Sequence, residues 1–261
     1  MPDVSGHHVH AVTVGAGAPA VMVHCALSNH KALLPLAEAV GGQVSLIDMP
    51  GHGRSDDWDG KRDYQTLVFE AAAACCDGPT HLIGHSFGAT AALRLAIERP
   101  DLVNRLTLIE PVYFAAAKGT PAHAQHAKNF RPFVGAMLTG DEARAAEVFN
   151  SLWGATPWAD IPARMQAKLA QRIHLIVAGA APIEEDAAGI TSAERLGALN
   201  IPVTLIRGAD TQPVITEIHR VLVKRIPNAT DHEIAEAAHM LPLTHSDEVA
   251  AIIRAADPET D

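Results

Sequence analysis

Ser86 sits at the centre of Gly84-His85-Ser86-Phe87-Gly88, between the apolar run 80–83 (THLI) and an alanine-rich stretch at 89–99. A serine hydroxyl becomes a useful nucleophile only when a base takes its proton. The pattern G-x-S-x-G between a strand and a helix is one way to present it. The chain must turn sharply there, which strains the serine backbone, and side chains two residues away on either side would collide. Ala89, Ala91 and Ala92 keep the start of the following helix thin. Amide N–H groups at that helix start, Phe87 first among them, point towards the hydroxyl and favour a developing oxyanion.

The base has fifteen candidates. His239, in Glu236-Ala237-Ala238-His239-Met240, follows the last apolar run and precedes Pro242 and the final helical stretch. This places it on a loop at the carboxyl edge of a sheet, the edge where Ser86 would also lie and where ligands bind in open α/β sheets. His245 is read as a helix-start residue, and His85 as pointing away from its neighbour Ser86. His123 and His126, spaced i, i+3, could share a helix face, but no third ligand is evident, so no metal is expected. Two carboxylates could orient the imidazole. Glu110 follows the apolar run 105–109, and Asp210 lies in Gly208-Ala209-Asp210-Thr211. Glu110 is the favoured acid and Asp210 the alternative; Glu110 could instead cap the entrance to the stretch that follows it, and Asp210 could serve an Asx turn before Pro213.

The elements that must hold these residues are short apolar runs at 19–25, 43–47, 80–83, 105–109 and 202–207, with weaker ones at 8–14 and 231–234. Helical stretches at 31–40, 64–76, 89–99, 213–225 and 247–255 alternate with them. Such alternation predicts a mostly parallel sheet covered on both faces. It breaks between 111 and 200, a stretch of helical composition that holds seven of the eleven aromatic residues: Tyr113, Phe114, Phe130, Phe133, Phe149, Trp153 and Trp158. The expected organisation is a core of residues 1–110 and 201–261 with a helical insertion at 111–200. Each aromatic could line a binding site or merely pack the insertion onto the core.

With GHSFG, the chain also carries Asp48-Met49-Pro50-Gly51-His52-Gly53-Arg54-Ser55 and AHMLPLTH around His239. It resembles an α/β-hydrolase over essentially its whole length. The resemblance implies about eight strands, a helical cap after the sixth, and a Ser–His–acid triad in that chain order. It also implies a second oxyanion donor, the amide of Ala26, because His24-Cys25-Ala26 stands where such proteins carry His-Gly-x. Cys25 replaces the glycine and is read as an inert packing thiol. For the acid, the commonest pattern, G-x-x-D, would fall on Thr211, one residue after Asp210. One subgroup of haloalkane dehalogenases uses a glutamate at the place of Glu110, but their nucleophile is an aspartate, so that likeness stops at the one position.

An excess of 30 Asp and Glu over 20 Lys and Arg gives a formal charge of -10, which argues against nucleic acid and anionic membranes as partners. No apolar run approaches the roughly 18 residues that cross a bilayer. The opening MPDVSGHHVH has neither the basic nor the apolar part of a secretory leader. Three cysteines, two of them adjacent (Cys75, Cys76), make a disulfide framework improbable. The expectation is a cytoplasmic enzyme without cofactor that acts on a small-molecule ester, thioester or lactone, with its oligomeric state open. The rivals are a meta-cleavage carbon–carbon hydrolase, a cofactor-independent oxygenase and a small-molecule receptor on the same scaffold.

Overall fold

A computed structural model describes residues 3–256. Its main sheet has seven strands: β3 (Ala11–Val14), β4 (Pro19–Val23), β5 (Gln43–Ile47), β6 (Thr80–His85), β7 (Val103–Ile109), β8 (Val203–Gly208) and β9 (Ala229–Ile234). They lie in the order β3-β5-β4-β6-β7-β8-β9, with β3 antiparallel to β5 and every other pair parallel. Residues Asp3–Val4 (β1) and His7–His8 (β2) form a separate two-stranded ribbon. The expected strand at 8–14 is therefore split, and the sheet has seven strands rather than about eight. The antiparallel sense of β3 agrees with its patterning, since its burial is incomplete while β6 is buried throughout.

Helices α1 (Leu34–Val40), α2 (Tyr64–Ala73), α3 (Phe87–Glu98), α10 (Pro213–Arg225) and α12 (Ser246–Ala255) follow β4, β5, β6, β8 and β9, and two apolar clusters form the core. The first turn of the helix expected at 31–40 is 3-10, from His30 to Leu33, because Pro35 at the start of α1 has no N–H to donate. Between β7 and β8 the chain is helical: α4 (Pro121–Leu138), α5 (Glu142–Trp153), α6 (Ala163–Arg172), α7 (His174–Ala178), α8 (Ala180–Glu185) and α9 (Ala193–Gly197). Side-chain oxygens of Thr120 and Asp141 cap α4 and α5, and the two helices share a third apolar cluster that includes Phe133, Ala136 and Ala145. A last short helix, α11 (Leu241–Thr244), precedes α12. Among the described residues, no helix is long and apolar enough to cross a membrane.

Candidate active site

Six non-glycine residues among those described have a positive φ, and four follow the carboxyl ends of sheet strands: Leu27 after β4, Ser86 after β6, Glu110 after β7 and Glu236 after β9. Each such residue costs roughly 1–3 kcal/mol and persists only where its surroundings dictate it. Here the surroundings are the ends of the sheet ladder. Ser86 N–H donates to Ile109 O at 2.9 Å, and Glu110 N–H donates to Ile206 O at 2.9 Å. The backbone thus stays anchored while φ reverses (56° at Ser86, 50° at Glu110), turning both side chains out of the sheet plane. The flanking glycines are needed for space. A Cβ on Gly84 would lie 2.5 Å from Ala89 Cα, and one on Gly88 would lie 2.4 Å from Val23 O.

Those turns bring three side chains into line. His239 Nε2 is 2.9 Å from Ser86 Oγ, and its Nδ1 is 2.9 Å from Glu110 Oε2. All three residues are buried, Glu110 completely. With Nδ1–H donating to the carboxylate, Nε2 is the free acceptor for the serine proton. Burial alone would raise the Glu110 pKa. Its hydrogen bonds to His239, Thr211 Oγ1 and Gly208 N–H outweigh that and hold the carboxyl below its ordinary range. Asp210 is exposed on the turn after β8, where its N–H donates to Ala237 O. Thr211, at the place where an aspartate is commonest, donates instead to Glu110. The structure therefore brings Glu110, and not Asp210, to His239.

Ala26 and Phe87 face the same space as Ser86, all three lining one cavity. Phe87 opens α3, so its N–H is among those a helix leaves without an acceptor in its own ladder. The loop that carries Ala26 is held by two buried histidines. His24 donates from Nδ1 to Cys25 O (2.7 Å) and accepts Met49 N–H at Nε2 (3.0 Å). His52 accepts Leu27 N–H at Nε2 (2.9 Å), and its Nδ1 lies 3.1 Å from Pro50 O. Burial pushes them down to about 4 and about 3, so each stays neutral with its proton on Nδ1. Cys25 is buried and its thiol is pushed up to about 12, which suits packing and not attack.

Sequence reasoning missed how His85 is used. Its side chain turns from Ser86, as expected, but its Nε2–H donates to the carbonyl oxygen of His239 at 2.9 Å. Burial pushes its pKa to about 3. It braces the backbone of the candidate base, while Trp153 packs edge-on against the imidazole, 4.6 Å between ring centroids. An imidazole next to the serine was the available signal. Its partner lies 154 positions away, and no local pattern reports that contact. His245 starts α12 and bonds Thr244, away from Ser86.

Two groups of side chains could be considered for a metal. His10, His30 and Asp48 are buried with their donor atoms within 4.8 Å of one another. Asp48, however, already accepts His30 N–H, His30 Nδ1–H and Arg54 N–H, so its oxygens are engaged in tying the Asp48–Ser55 loop to the chain at His30. That donor set suits a structural brace better than a cation. The second group is His123 and His126 with Glu184, which the structure sets 3.7 and 3.9 Å from them.

The cavity measures about 410 Å³. Besides Ser86, His239 and Glu184 its lining is almost wholly apolar, with Phe114, Phe130, Phe133, Phe149 and Trp153 supplied by the 111–200 stretch. Tyr113 is instead buried and accepts a hydrogen bond from Gln65, and Trp158 packs within the helices of that stretch. Val134, Leu138 and Val177 line the cavity and are also about half or more exposed, which marks where it meets the surface.

A sequence model of the Alpha/beta hydrolase family matches residues 20–252, and the chain belongs to that family. It is 29% identical to lipase LipV of Mycobacterium tuberculosis, over 87% of this chain and 85% of that protein. It is 25% identical to a 2-hydroxy-6-oxononadienedioate/2-hydroxy-6-oxononatrienedioate hydrolase of Cupriavidus pinatubonensis, over 91% of this chain and 86% of that one. An alpha/beta hydrolase from Sphaerobacter thermophilus shares the fold, with a TM-score of 0.74 at 22% identity over 97% of this chain and 98% of the other. Hydrolysis is the class of reaction common to these relatives.

Proposed function

We propose that the protein is a serine hydrolase that cleaves an ester, thioester or lactone of a small to medium, largely apolar substrate through an acyl-enzyme. The observation that carries this reading is the Ser86–His239–Glu110 relay, two contacts of 2.9 Å, opening into an apolar cavity. Ser86 Oγ attacks the acyl carbon as His239 Nε2 takes its proton. The amides of Phe87 and Ala26 receive the oxyanion, and Glu110 steadies the imidazolium. The carbon–oxygen (or carbon–sulfur) bond breaks as His239 returns the proton to the leaving group. Water, deprotonated by the same imidazole, then releases the acid and restores Ser86. On this reading residues 111–200 form a cap over a core of residues 1–110 and 201–261, and the cap supplies most of the substrate contacts.

A carbon–carbon hydrolase would use the same relay, and the Cupriavidus relative, named for a dienedioate, favours that alternative. Against it, no Lys or Arg lines this cavity, and a doubly anionic substrate would meet Glu184 and greasy rings. The test is a fluorophosphonate label combined with chromogenic esters of rising acyl length. Wild-type protein should be labelled on Ser86 and should hydrolyse the esters. Ser86→Ala should lose the label and about six orders of magnitude in kcat, as removal of a triad serine does elsewhere. Labelling that persisted in Ser86→Ala, or esters left intact beside a cleaved vinylogous diketone, would overturn the assignment.

A further inference from the structure

Apart from the relay itself, the cavity wall holds one carboxylate, Glu184 on α8, and one phenol, Tyr64, whose hydroxyl already donates to Pro50 O. Its surroundings are built for it. Thr120 caps α4 so that His123 and His126 fall one turn apart on the same face, and both turn towards the carboxylate. His126 is stacked on Phe114 at 4.1 Å, and Phe114 and His126 both pack against Trp153, the residue that touches His239. A layer of rings therefore separates this polar cluster from the reacting atoms.

The cluster is incomplete as it stands. The histidine Nε2 atoms lie 3.7 and 3.9 Å from the Glu184 oxygens, beyond hydrogen-bond reach, and His123 Nε2 is buried without a hydrogen-bond partner. Glu184 keeps 38% of its side chain accessible, whereas His126 keeps 5%. Burial pushes His126 down to about 4, so it brings no fixed positive charge to the carboxylate at neutral pH. Desolvation raises the Glu184 pKa, opposed in part by His123 and Lys118, so its ionised form gains from any donor that enters.

We propose that Glu184, flanked by His123 and His126, is a specificity determinant that receives a hydrogen-bond donor, a hydroxyl or an ammonium, on the part of an otherwise apolar substrate remote from the bond being cleaved. This rests on the serine-hydrolase reading given above. It predicts discrimination of a kind that apolar walls cannot supply. A terminal hydroxyl in a greasy pocket is penalised unless it is paired, and a site built to pair it rejects the analogue that lacks it. A terminal carboxylate is excluded by the like charge.

The experiment compares p-nitrophenyl hexanoate, 6-hydroxyhexanoate, 6-aminohexanoate and adipate, beside the same end groups placed on the alcohol of acetate esters. In one of the two series the wild-type protein should process the hydroxyl- and ammonium-ended members at least as well as the methyl-ended one, and the carboxylate-ended member worst. Glu184→Leu should lower the hydroxyl-to-methyl ratio of kcat/KM about tenfold or more, the size of one hydrogen bond to a charged group. Glu184→Gln should keep the hydroxyl and lose the ammonium. A ratio taken within one variant is independent of how much of that variant folds. Unchanged ratios in Glu184→Leu, or a wild-type preference for adipate, would overturn the inference while plain esters still turned over. Binding of 1,6-hexanediol against 1-hexanol, read from tryptophan fluorescence in wild type and Glu184→Leu, separates the two claims. A diol preference that depends on Glu184 in a protein inactive on every ester would retain the subsite and sink the chemistry. No such preference would sink the subsite as well.

Discussion

The floor and the roof of the cavity are held in opposite ways. The floor is made of strand ends and their loops, and nearly every group there is pinned by a named hydrogen bond. Asp48 ties His30 to Arg54, His24 and His52 fix the loop at Ala26, and His85 fixes the backbone at His239. The roof, α4 to α8, lines the cavity with rings and aliphatic side chains, Glu184 apart; its other side-chain hydrogen bonds are local ones such as Gln125–Asn129 and Arg144–Glu147, and it leaves Leu138 83% exposed. A hydrogen-bonded floor resists displacements of half an ångström, which is the tolerance of proton transfer. A packed apolar roof accepts side chains of different size at modest cost. On the function proposed above, the division predicts that turnover and selectivity can be changed separately.

The sharpest way to break that division is at Glu110, the deepest point of the floor. Glu110→Gln keeps the shape but offers Nδ1 the wrong tautomer and removes the charge beside the imidazolium. The expected loss is about 10³–10⁴ in kcat with KM little changed. Asp210→Asn, on the turn after β8 and exposed, should stay within about threefold, as surface substitutions do. Steady-state rates on one chromogenic ester measure both. The reverse ranking would move the acid to the position after β8 and leave Glu110 as a strand-end brace.

How much of this was open to a reader of the chain follows the same line. The contact between Ser86 and His239 could be anticipated because floor geometry is written in backbone terms: glycines where Cβ atoms would collide, a serine between a strand and a helix, loops after apolar runs. The sequence favours Glu110 over Asp210 only weakly, since the contact with His239 depends on a side chain reaching across β8, and the Thr211 hydroxyl that donates to Glu110 has no motif of its own. The strand at 8–14 was misjudged because Val9 and His10 are buried although they lie between β2 and β3, so burial imitated strand patterning. The Glu184 cluster was half visible as the i, i+3 histidines. Its third member comes from another helix 58 residues further on, a separation set by tertiary packing and by nothing local.

The floor also stores its own weakness, which acid should expose. His24, His52 and His85 are neutral in the folded protein with pKa values of about 4, 3 and 3, whereas an unfolded chain protonates them near 6.5. Below that value the unfolded state binds more protons, so stability rises with pH and falls as acid is added. Each histidine contributes up to about 1.4 kcal/mol of loss per pH unit between 6.5 and its folded value. Glu110, Asp48 and Asp231, all held below the ordinary carboxylate range, add losses only at lower pH, as the pH falls towards their depressed folded values. Urea midpoints taken from pH 7.5 to 5 should therefore drop steeply, and His52→Gln should flatten the slope by close to one proton even if it lowers stability at neutral pH. A flat profile above pH 5 would mean that these rings are not locked neutral.

The smallest effect on turnover, and the one that best sharpens the comparison, belongs to the roof. Phe133 is 2% exposed, stacks on Phe130 with 4.5 Å between centroids, and lines the cavity. Phe133→Ala removes a ring without touching any floor hydrogen bond. It should cost about 3–5 kcal/mol of stability, the usual figure for a buried phenylalanine. In the fraction that remains folded, kcat for a short acyl ester should stay within a few-fold. The vacated volume should shift the optimum towards longer or branched chains, with changes of about tenfold in KM, since one methylene in an apolar pocket is worth about 1–3 kcal/mol. A collapse of kcat on every chain length alike would show that α4 props up the relay itself, and that floor and roof form one mechanical unit.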